Sequence, residues 1–433
     1  MKIAVISSSN LINRADVKYN IDDETKEYDV WKIAELKEII VRDPMCYGFQ
    51  YSKVGIPMIR ISDLKEPFID YSKVAYVSEI VHKKFNKTSL EKMDILMSVR
   101  GVSIGKIGIF LGEFEEANIS PNIIIIRLKD KKLAPYVCMT LMSDVAKRQI
   151  KRAIAGSSKP TITAPMIENI EIPIPSDDIL ERFNDFFTQC VERKSKEAYL
   201  RSKFEKRFTE IFKSDFEKSK KISYEECLLN EKRWDPHYHN PQYKVLRQYL
   251  NEIKSEKLGK VLAPVSELVK KGKNDEKIGY IEISDINCIS ARIENITVDF
   301  PKKMPTGGKV ILSNSDILIS KVRPYRNCVT MYREDLPFTV TASKNGLSVY
   351  RGKTGQKLFY ILSFLRSVCG KLQIEMYQSG TSYPTVSDDD LENILIPEIE
   401  EDLENEIDMM YKEILDNYEI QSNLIVKMLE LIK

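Results

Sequence analysis

The sequence predicts two tandem copies of an α/β (α+β) domain, each followed by a long helix. Three observations lead to this prediction. Similar segments recur in the same order at a nearly constant offset, each copy combines short β-rich runs with a helical stretch, and each copy is followed by a long segment without proline or glycine. A repeat of this length is too long for a solenoid, so each copy is expected to form a domain of its own.

Two pairs of segments define the repeat most clearly. "DILMSVRG", which begins at Asp94, returns as "DILISKVR" from Asp316. "GSSKPTI" from Gly156 returns as "GTSYPTV" from Gly380, at almost the same offset. Further collinear pairs are "IRISD" from Ile59 with "IEISD" from Ile281, "SPN" ending at Asn122 with "SKN" ending at Asn345, "ENIEIPIP" from Glu168 with "ENILIPEI" from Glu392, and Arg14, Asp16 and Tyr19 with Arg233, Asp235 and Tyr238. The shared order and the slowly drifting offset indicate a tandem duplication.

The composition is that of an ordinary globular protein of two domains. The 433 residues are 43% hydrophobic and 30% charged, and 66 basic against 64 acidic residues leave a net charge of +2. This balance neither favours nor excludes nucleic acid, because binding depends on a local basic face.

The seven cysteines are scattered singly, which argues against a disulfide framework and a zinc site and suits a reducing cytoplasm. No apolar run reaches the roughly 20 residues of a membrane span, and the N-terminal apolar run is short for a secretory signal, so we expect a cytoplasmic protein without membrane contact.

Within each copy, the strands come first. "GIPMIRISDL" and "KIGYIEISDI" alternate apolar and polar residues, as half-buried strands do, and "DILMSV" and "DILISKV" are typical of buried strands. One helical stretch follows in each copy, "APYVCMTLMSDVAKRQIKRAI" and "KLFYILSFLRSVCGKLQIEMY". The second stretch carries an apolar stripe at helical spacing: Leu358, Ile361, Leu362, Leu365, Val368 and Leu372. A loop rich in Gly, Ser, Thr and Pro and a final strand complete each domain.

The predicted boundaries are residues 1–176 for the first domain, 177–221 for a central spacer helix, 222–398 for the second domain and 399–433 for a C-terminal spacer helix. The C-terminal helix has a heptad seam with one polar member: Ile407, Tyr411, Ile414, Tyr418, Gln421, Ile425, Met428 and Ile432. The central helix has apolar ends and a charged middle, "ERKSKEA". At ~1.5 Å per residue, about 36 residues span roughly 54 Å. We expect the two helices to pair as an antiparallel coiled coil that holds the domains apart; two independent surface helices are the alternative.

"HNPQY", which ends at Tyr243, is the candidate enzyme motif. Enzymes that methylate adenine hold the flipped base with an Asn/Asp-Pro-Pro-aromatic loop. Here Gln242 replaces the second proline, and no glycine-rich loop after a strand is available to bind a methyl donor. His237 and His239, with Asp235 nearby, lack further ligands for a metal site. We therefore predict a chain without an active site or a metal ion of its own.

Basic and small polar residues gather at equivalent loops of the two copies, whereas the surrounding framework letters match. Arg and Lys bind guanine edges or phosphates, Asn binds adenine, and Ser and Thr bind either. The candidate DNA-binding residues of the first copy are Arg100, Lys106, Ser120, Asn122, Ser158 and Lys159. Those of the second copy are Lys321, Arg323, Tyr325, Arg326, Lys344 and Tyr383. Loops that differ within a matching framework are typical of two domains that read different sequences; merely solvated charged loops are the alternative.

The doubled module "IRISDL…DILMSVRG…GSSKPTI…ENIEIPIP", followed by a long helix, resembles the specificity subunit of type I restriction–modification systems over essentially the whole chain. The resemblance implies two target recognition domains, each reading half of an interrupted double-stranded DNA site, and an antiparallel coiled-coil spacer that fixes the gap. It also implies a non-catalytic subunit that recruits two adenine-N6 methyltransferase subunits and, in a restriction complex, two motor–nuclease subunits. S-adenosylmethionine, ATP and magnesium are then expected on those partners, with no cofactor on this chain.

Three other functions stay open from the sequence. A specificity subunit of a related restriction–methylation system shares all these features and differs in its catalytic partners. A DNA-modifying enzyme would bind S-adenosylmethionine by itself. A protein–protein scaffold would use the same loops for a partner, with no DNA affinity and little sensitivity to salt.

Overall fold

The computed structural model of the chain describes residues 29–42, 49–155, 160–213, 215–216, 237–269, 276–334, 336–380 and 382–432. These residues form two compact units. Unit 1 contains the described residues up to Glu192 together with those from Gln421 onward, and unit 2 contains Arg193–Ile420. Several residues matched in the repeat lie outside the described residues, namely Arg14, Asp16, Tyr19, Arg233, Asp235, residues 156–159 and Thr381.

The strands of unit 1 form one four-stranded antiparallel sheet and several smaller pairings. In chain order the strands β1 to β11 are Val30–Lys32, Lys37–Arg42, Ile56–Ile59, Leu64–Lys65, Phe68–Ile69, Ala75–Val77, Ile95–Ser98, Ile107–Ile109, Asn118–Ile119, Ile123–Leu128 and Glu171–Pro173. The larger sheet has the order β2-β10-β7-β8, and a second has the order β6-β3-β9, in which β3 and β9 run parallel. β1 pairs with β11, and β4 pairs with β5.

The β10 strand lies inside the larger sheet and is buried on both faces, which explains its unbroken isoleucine run. Successive side chains of a strand point to opposite faces. Accordingly, Ile124 and Ile126 pack into an apolar cluster that includes the helices of the unit, whereas Ile123 and Ile125 pack into a second cluster. The neighbouring β7 strand, "ILMS" from Ile95, is also buried throughout, as its sequence predicts.

Most helices of unit 1 contribute side chains to the first of these clusters. The helices α1 to α5 are Ile33–Leu36, Glu79–Lys84, Ala134–Met142, Asp144–Ala153 and Ala164–Glu168. The prediction of one continuous helix over the α3–α4 segment is wrong. The chain leaves the helical conformation at Ser143, with ψ at 165°, and the Ser143 hydroxyl donates to the carbonyl of Thr140 at 2.6 Å. This local bond competes with helix continuation and ends α3 before α4 begins.

Unit 2 has a corresponding set of strands. The strands β12 to β23 are Ser255–Lys257, Ala263–Pro264, Ile278–Ile281, Ile286–Asn287, Arg292–Ile293, Thr297–Asp299, Lys309–Ile311, Ile317–Ser320, Val329–Met331, Val340–Ser343, Leu347–Arg351 and Leu395–Pro397. Two four-stranded sheets have the orders β13-β22-β19-β20 and β17-β14-β21-β18. β12 pairs with β23, and β15 pairs with β16. The first of these sheets has the strand order of the larger sheet of unit 1, with β19 in the place of β7.

The remaining helices are α6 to α12: Asp177–Ile211, Pro241–Glu252, Leu258–Val261, Leu358–Arg366, Val368–Met376, Asp388–Glu392 and Glu401–Glu430. The predicted single helix of the second copy is also wrong, because the chain leaves the helical conformation at Ser367, between α9 and α10. The Ser367 hydroxyl donates to the Phe364 carbonyl at 2.6 Å. Val368, a member of the predicted apolar stripe, is therefore 45% exposed.

A buried acid anchors the same strand in each unit. Asp94, at the entry of β7, accepts hydrogen bonds from the Arg127 guanidinium at 2.8 and 2.7 Å. Asp316, at the entry of β19, accepts two from the Arg351 guanidinium, both at 2.8 Å. The side chains of both aspartates are fully buried, and a buried carboxylate requires such a partner. Each ion pair ties a strand entry to the adjacent strand.

Within unit 2, α6 and α12 contact each other in an antiparallel sense. Arg193 lies beside Asn417, with Nη1 donating to Oδ1 at 3.2 Å, and Arg207 lies beside Glu406, with Nη2 and Oε2 at 3.0 Å. The charged middle of α6 is thus matched by polar groups on α12. Lys196 extends this match through an ion pair with Glu413 at 2.8 Å.

Apolar side chains fill the same helix contact toward the end of α6. Phe204 lies 5.2 Å from Tyr411, measured between ring centres, and Phe208 lies between Phe204 and Phe212. α6 ends at Ile211, before the predicted boundary at residue 221. Residues 217–221 lie outside the described residues.

Within unit 1, the beginning of α6 contacts the end of α12. The side-chain amide of Gln421, the polar member of the heptad seam, donates to the Cys190 carbonyl at 3.2 Å. Phe183 and Phe187 belong to the same apolar cluster as Leu424 and Met428. Leu424 lies next to the heptad position Ile425 and is not itself part of the heptad pattern. It nevertheless packs in the same cluster as Met428, which is.

Cys288 and Cys328 form a disulfide, with their Cα atoms 4.4 Å apart. The scattered cysteines argue against a disulfide framework, and this pair is an exception to that expectation. The two residues are 40 positions apart in the chain, but the turn after β15 lies next to the residue before β20. Cys190 and Cys369 are buried thiols, and burial raises the pKa of each to about 12.

None of the described helices combines the length and the apolar character needed to cross a membrane.

Candidate nucleic-acid interface

The loops that carry the candidate DNA-binding residues come together in each unit. We call them the exit loop, which follows the buried "DIL" strand, the turn, which carries "SPN" or "SKN", and the Gly-Ser-Thr loop. In unit 1 they are residues 99–106, 120–122 and 154–163, and in unit 2 they are residues 321–328, 343–346 and 377–387. Residues 156–159 and Thr381 of the Gly-Ser-Thr loops lie outside the described residues.

In unit 2, backbone hydrogen bonds join all three loops. The N–H of Lys321 donates to the Gly346 carbonyl, and the N–H of Val386 donates to the Lys321 carbonyl, each at 2.9 Å. A third bond, also of 2.9 Å, runs from the N–H of Arg323 to the Pro384 carbonyl. The exit loop is therefore held on one side by the turn and on the other by the Gly-Ser-Thr loop.

In unit 1, corresponding backbone hydrogen bonds join the corresponding loops. The N–H of Val99 donates to the Asn122 carbonyl at 2.8 Å, and the N–H of Ile162 donates to the Val99 carbonyl at 3.0 Å. Arg100 pairs with Thr161 in an isolated β-bridge, as Val322 pairs with Thr385 in unit 2. One backbone frame thus carries two different sets of side chains.

A buried serine at the end of the "DIL" strand shapes the start of each exit loop. The Ser320 hydroxyl donates to the Val322 carbonyl at 2.9 Å, and the Ser98 hydroxyl donates to the Ser103 carbonyl. Because side-chain bonds of this kind stabilise turns, both loops leave the sheet at the same place.

Beyond this point the two exit loops have positive φ values at equivalent positions, but different residues adopt them. In unit 1, Gly101 and Gly105 take positive φ values of 87° and 81°, which glycine adopts without strain. In unit 2, the positive φ values belong to Arg323 (50°) and Asn327 (52°), which flank Pro324. The Asn327 side-chain amide donates to the Arg366 carbonyl at 2.8 Å. Contacts to neighbouring elements therefore hold the unit 2 loop in a conformation that glycine permits in unit 1.

Aromatic and basic side chains form the exposed surface of the unit 2 loops. Tyr383 is 59% exposed and Tyr325 is 49% exposed. The Arg323 guanidinium lies 5.5 Å from the centre of the Tyr383 ring, in a cation–π contact that limits its orientations. Arg326 and Lys344 are also exposed. Exposed rings can stack on bases, and these cations can bind phosphates or guanine edges.

Lys321 takes a different place from the other candidates of unit 2. It is half-buried, and its ammonium group lies 3.1 Å from a carboxylate oxygen of Asp388. Ser348 donates to the other oxygen of the same carboxylate. Lys321 therefore supports the loop frame. Asp388 is not among the candidates predicted from the sequence, although the run of three aspartates after the Gly-Ser-Thr loop is typical of a helix start.

The candidates of unit 1 are less exposed. Arg100 and Asn122 are half-buried where the loops join, and Asn122 has a positive φ of 73°. Ser120 is only 6% exposed, and its N–H donates to the Ile59 carbonyl at 2.8 Å, so its place is inside the domain. Lys106 is half-buried at the far end of the exit loop. Ser158 and Lys159 lie outside the described residues.

The "HNPQY" motif opens a helix. Asn240 is the N-cap of α7, and its side-chain oxygen accepts a hydrogen bond from the N–H of Gln242 at 3.2 Å. Pro241 is the first helical residue, a position that proline favours. Tyr243 is 1% exposed, and its ring packs in the core of unit 2. The motif therefore has a structural explanation in helix capping and core packing.

The histidines take part in local hydrogen bonds. The Nε2 atom of His237 lies 2.8 Å from the Glu375 carbonyl and 3.3 Å from the Tyr243 hydroxyl. His82 is buried, with Nδ1 at 3.4 Å from the Asn118 side-chain amide. In the part of the chain that the structure describes, no three His, Cys, Asp or Glu side chains lie close enough together to hold a metal ion.

Comparison with known proteins relates the first half of the chain to a known domain. Residues 25–198 match the family model described as "Type I restriction modification DNA specificity domain". A putative type I restriction enzyme MjaX specificity subunit from Methanocaldococcus jannaschii is 29% identical over 154 residues, which are 34% of this chain and 36% of that protein. The type I restriction enzyme EcoBI specificity subunit from Escherichia coli is 25% identical over 183 residues, which are 40% of this chain and 38% of that protein. The matched regions thus span little more than a third of these curated relatives.

One solved structure resembles the chain over nearly its full length. It is a crystal structure of the S subunit of a type I restriction–modification system from M. genitalium, 15% identical, with 96% of this chain and 97% of that chain covered and a TM-score of 0.46.

Proposed function

We propose that this chain is the DNA-reading subunit of a type I restriction–modification complex, because residues 25–198 match the DNA specificity domain of such systems and the curated relatives are specificity subunits. Each unit would read one half of an interrupted site in double-stranded DNA. One observation carries the proposal: matching backbone hydrogen bonds hold the three loops together in both units, while the loop side chains differ. A shared frame with different side chains is what reading two different half-sites requires.

The proposal includes the predicted domain organisation. Residues 1–176 and 222–398 are duplicated target recognition domains, and residues 177–221 and 399–433 form an antiparallel coiled-coil spacer between them. Two findings support it. The larger sheet of unit 1 and its counterpart in unit 2 have the same strand order, and α6 contacts α12 inside each unit.

The proposal also assigns catalysis to partners. Two adenine-N6 methyltransferase subunits, and two restriction subunits where a nuclease is present, would bind this chain and carry S-adenosylmethionine, ATP and magnesium. The names of the curated relatives support this assignment, because both are called specificity subunits. The helix-capping role of "HNPQY" supports it too, because it explains the motif without a base-holding loop.

The test of the proposed function is a methylation map of genomic DNA from cells with the gene intact and deleted. Loss of N6-methyladenine at one interrupted motif on deletion is the expected result, and the motif itself would give both half-sites. A map that stays unchanged in cells shown to produce the chain together with its methyltransferase would refute the proposal.

Loop substitutions then test the division of labour between the units. We expect Arg100→Ala to impair recognition of one half of the motif, and Arg323→Ala or Tyr383→Ala to impair only the other half. Tyr199→Ala serves as the control, because Tyr199 is 66% exposed on α6, away from the loops in sequence. If each loop substitution abolished assembly with the methyltransferase instead, the assignment of the loops to DNA would be wrong.

A further inference from the structure

A groove of about 440 Å³ lies beside the exit loop of unit 1, and three lysines line it. Lys106 belongs to the exit loop, and Lys147 and Lys151 belong to α4. One acid, Glu66, also lines the groove. The other lining residues are Ser103, Ile104, Gly105, Ile150 and Ile154.

The positive charge of this groove is largely uncompensated. None of the three lysines forms an ion pair with any residue within the described ranges. The single carboxylate of the lining, Glu66, accepts a hydrogen bond from the N–H of Ile107 at 2.8 Å and offsets only one of the three positive charges. The pKa of Lys106 is lowered by burial and then by the nearby charge of Lys65, against the opposing effect of Glu66 and Asp63.

Helix stability does not account for all of these lysines. A cation in the last turn of a helix is favourable because it faces the negative end of the helix dipole, and Lys151 is placed there. Lys147 is the fourth residue of α4, near the positive end, where a cation gains nothing from the dipole. Lys106 belongs to no helix. An external anion would compensate the positive charge that Glu66 leaves.

Unit 2 has no net positive charge at the positions that correspond to Lys147 and Lys151. The offset that relates Gly156 to Gly380 also relates Lys147 and Lys151 to Lys371 and Glu375 of α10. Lys371 and Glu375 form an ion pair with each other at 3.4 Å, so the positive charge on α10 already has its partner.

Lys106 also has an uncharged counterpart, because Cys328 stands at its position in unit 2. The correspondence is structural, because the N–H of Ser98 donates to the Lys106 carbonyl and that of Ser320 to the Cys328 carbonyl, both at 2.9 Å. Glu66 has a sulfur counterpart too. Cys288 follows it at the offset that relates the two "DIL" strands, in the turn after the equivalent strand.

The disulfide of unit 2 therefore occupies the place of one acidic and one basic residue of the groove. The basic groove is a feature of unit 1, and its position beside the exit loop suits a contact that would accompany base reading.

We propose that this groove binds phosphate groups of the DNA backbone next to the half-site that unit 1 reads. The inference rests on the proposed function and adds a ligand site to it. The chemistry favours a phosphodiester backbone, because lysine ammonium groups act as compact point charges that bind phosphates without sequence preference. Unit 1 would thus contribute more of the salt-dependent affinity than unit 2.

The test measures how DNA affinity depends on salt. The full-length chain is titrated onto a fluorescent duplex of mixed sequence at several sodium chloride concentrations. Each phosphate contact lowers the slope of log K against log salt by about 0.9. We expect the double substitution Lys147→Gln and Lys151→Gln to reduce the magnitude of that slope by about 2, with the circular dichroism spectrum unchanged.

Two control variants make the result specific. Lys371→Gln removes the corresponding lysine of unit 2 and should leave the slope unchanged, because Lys371 already has an acidic partner. The pair Lys147→Arg and Lys151→Arg keeps the charge and should keep the slope. A slope that stays at the wild-type value in the Lys147→Gln, Lys151→Gln variant, while the wild type binds DNA, overturns the groove proposal and leaves the proposed function intact.

Two further outcomes have distinct meanings. A wild-type chain that binds no DNA, alone or with its methyltransferase, overturns the proposed function and the groove proposal with it. Free phosphate is the other source of the same chemistry, and pyrophosphate is its probe. If pyrophosphate raises the melting temperature only when Lys147 and Lys151 are present, and the DNA slope does not depend on them, the groove is a small-anion site and the DNA proposal fails.

Discussion

At the scale of single residues, the buried aspartate at the entry of each "DIL" strand connects the sequence repeat with the energetics of each unit. Asp94 and Asp316 are fully buried, and each accepts two hydrogen bonds from one arginine. Each also accepts a hydrogen bond from a backbone N–H three residues earlier, that of Glu91 at 2.7 Å and that of Ser313 at 2.8 Å. Their carboxylates therefore fix the strand entry and the adjacent turn together.

We predict that Asp94→Asn and Asp316→Asn each destabilise their own unit by about 3 kcal/mol, because the substitution removes the fully buried carboxylate that the arginine contacts, although Arg127 keeps a more exposed acidic partner in Glu91. Urea denaturation followed by tryptophan fluorescence or circular dichroism measures the effect. Asp299→Asn is the control, since Asp299 pairs with Lys303 on the surface, where an ion pair contributes at most about 1 kcal/mol. Equal losses for Asp299 and Asp94 would contradict the role of burial.

The buried thiols give a second prediction at this scale. Burial raises the pKa of Cys190 and Cys369 to about 12, so at pH 8 both are protonated and poor nucleophiles. In a variant with Cys46 and Cys227 replaced by serine and the buried Cys138 by alanine, we expect Ellman's reagent to react with neither thiol in the native chain, and with both in guanidinium chloride. Rapid reaction of either thiol in the native chain would show that its surroundings open.

At the scale of secondary-structure elements, the contact between α6 and α12 combines a polar segment and an aromatic segment. Arg193 and Lys196 from the charged middle of α6 contact Asn417 and Glu413 of α12, and aromatic rings follow toward the end of α6. Charged letters in the middle of a helix do not by themselves indicate an exposed segment. Here they are matched by polar residues on the facing helix.

We predict that Phe208→Ala destabilises unit 2 by about 3 kcal/mol, the cost of removing a large aromatic side chain from a packed cluster. The Phe208 ring is 8% exposed, and its centre lies 5.3 Å from that of Phe204 and 4.7 Å from that of Phe212. Thermal denaturation measures the loss, with exposed Tyr199→Ala on the same helix as control. A loss no larger than that of the control would show that α6 contributes little to the core of unit 2.

Much of this element structure could be predicted from the sequence, and the exceptions have identifiable causes. Alternation and unbroken apolar runs indicated the buried strands, and apolar spacing indicated the helices. Spacing could not reveal the breaks at Ser143 and Ser367, because the apolar pattern continues across them while a serine hydroxyl ends each helix through a local hydrogen bond. Neither could it reveal the disulfide, whose partners meet only through strand pairing.

At the scale of the whole chain, each unit has its own apolar cores. The largest cluster of unit 2 and the largest cluster of unit 1 share no residue, and each includes helix side chains from α6 and α12. We therefore predict two calorimetric transitions, of which Asp94→Asn lowers one and Asp316→Asn lowers the other. A single transition that both substitutions shift equally would show that the units unfold as one cooperative block.

The candidate interface was predictable in part at this scale. The offsets between repeated segments located the three loops in both units, and the backbone hydrogen bonds bring those loops together. The burial of individual side chains could not be predicted, because Ser120 and Lys321 are the same residue types as exposed loop candidates. Ser120 is nevertheless buried, and Lys321 forms an ion pair with Asp388. The basic groove was not predicted from the sequence, because Lys147 and Lys151 belong to a helix rather than to one of the candidate loops.

The disulfide of unit 2 has a practical consequence for observing the two units separately. Once reduced, Cys288 and Cys328 become thiols at the base of one exit loop, while the equivalent positions of the other unit hold a carboxylate and an amine. A spin label or fluorophore attached to Cys288, which is half-buried, would therefore report on one unit alone in an intact chain. Time-resolved signals from that label after mixing with DNA would test whether unit 2 responds to binding.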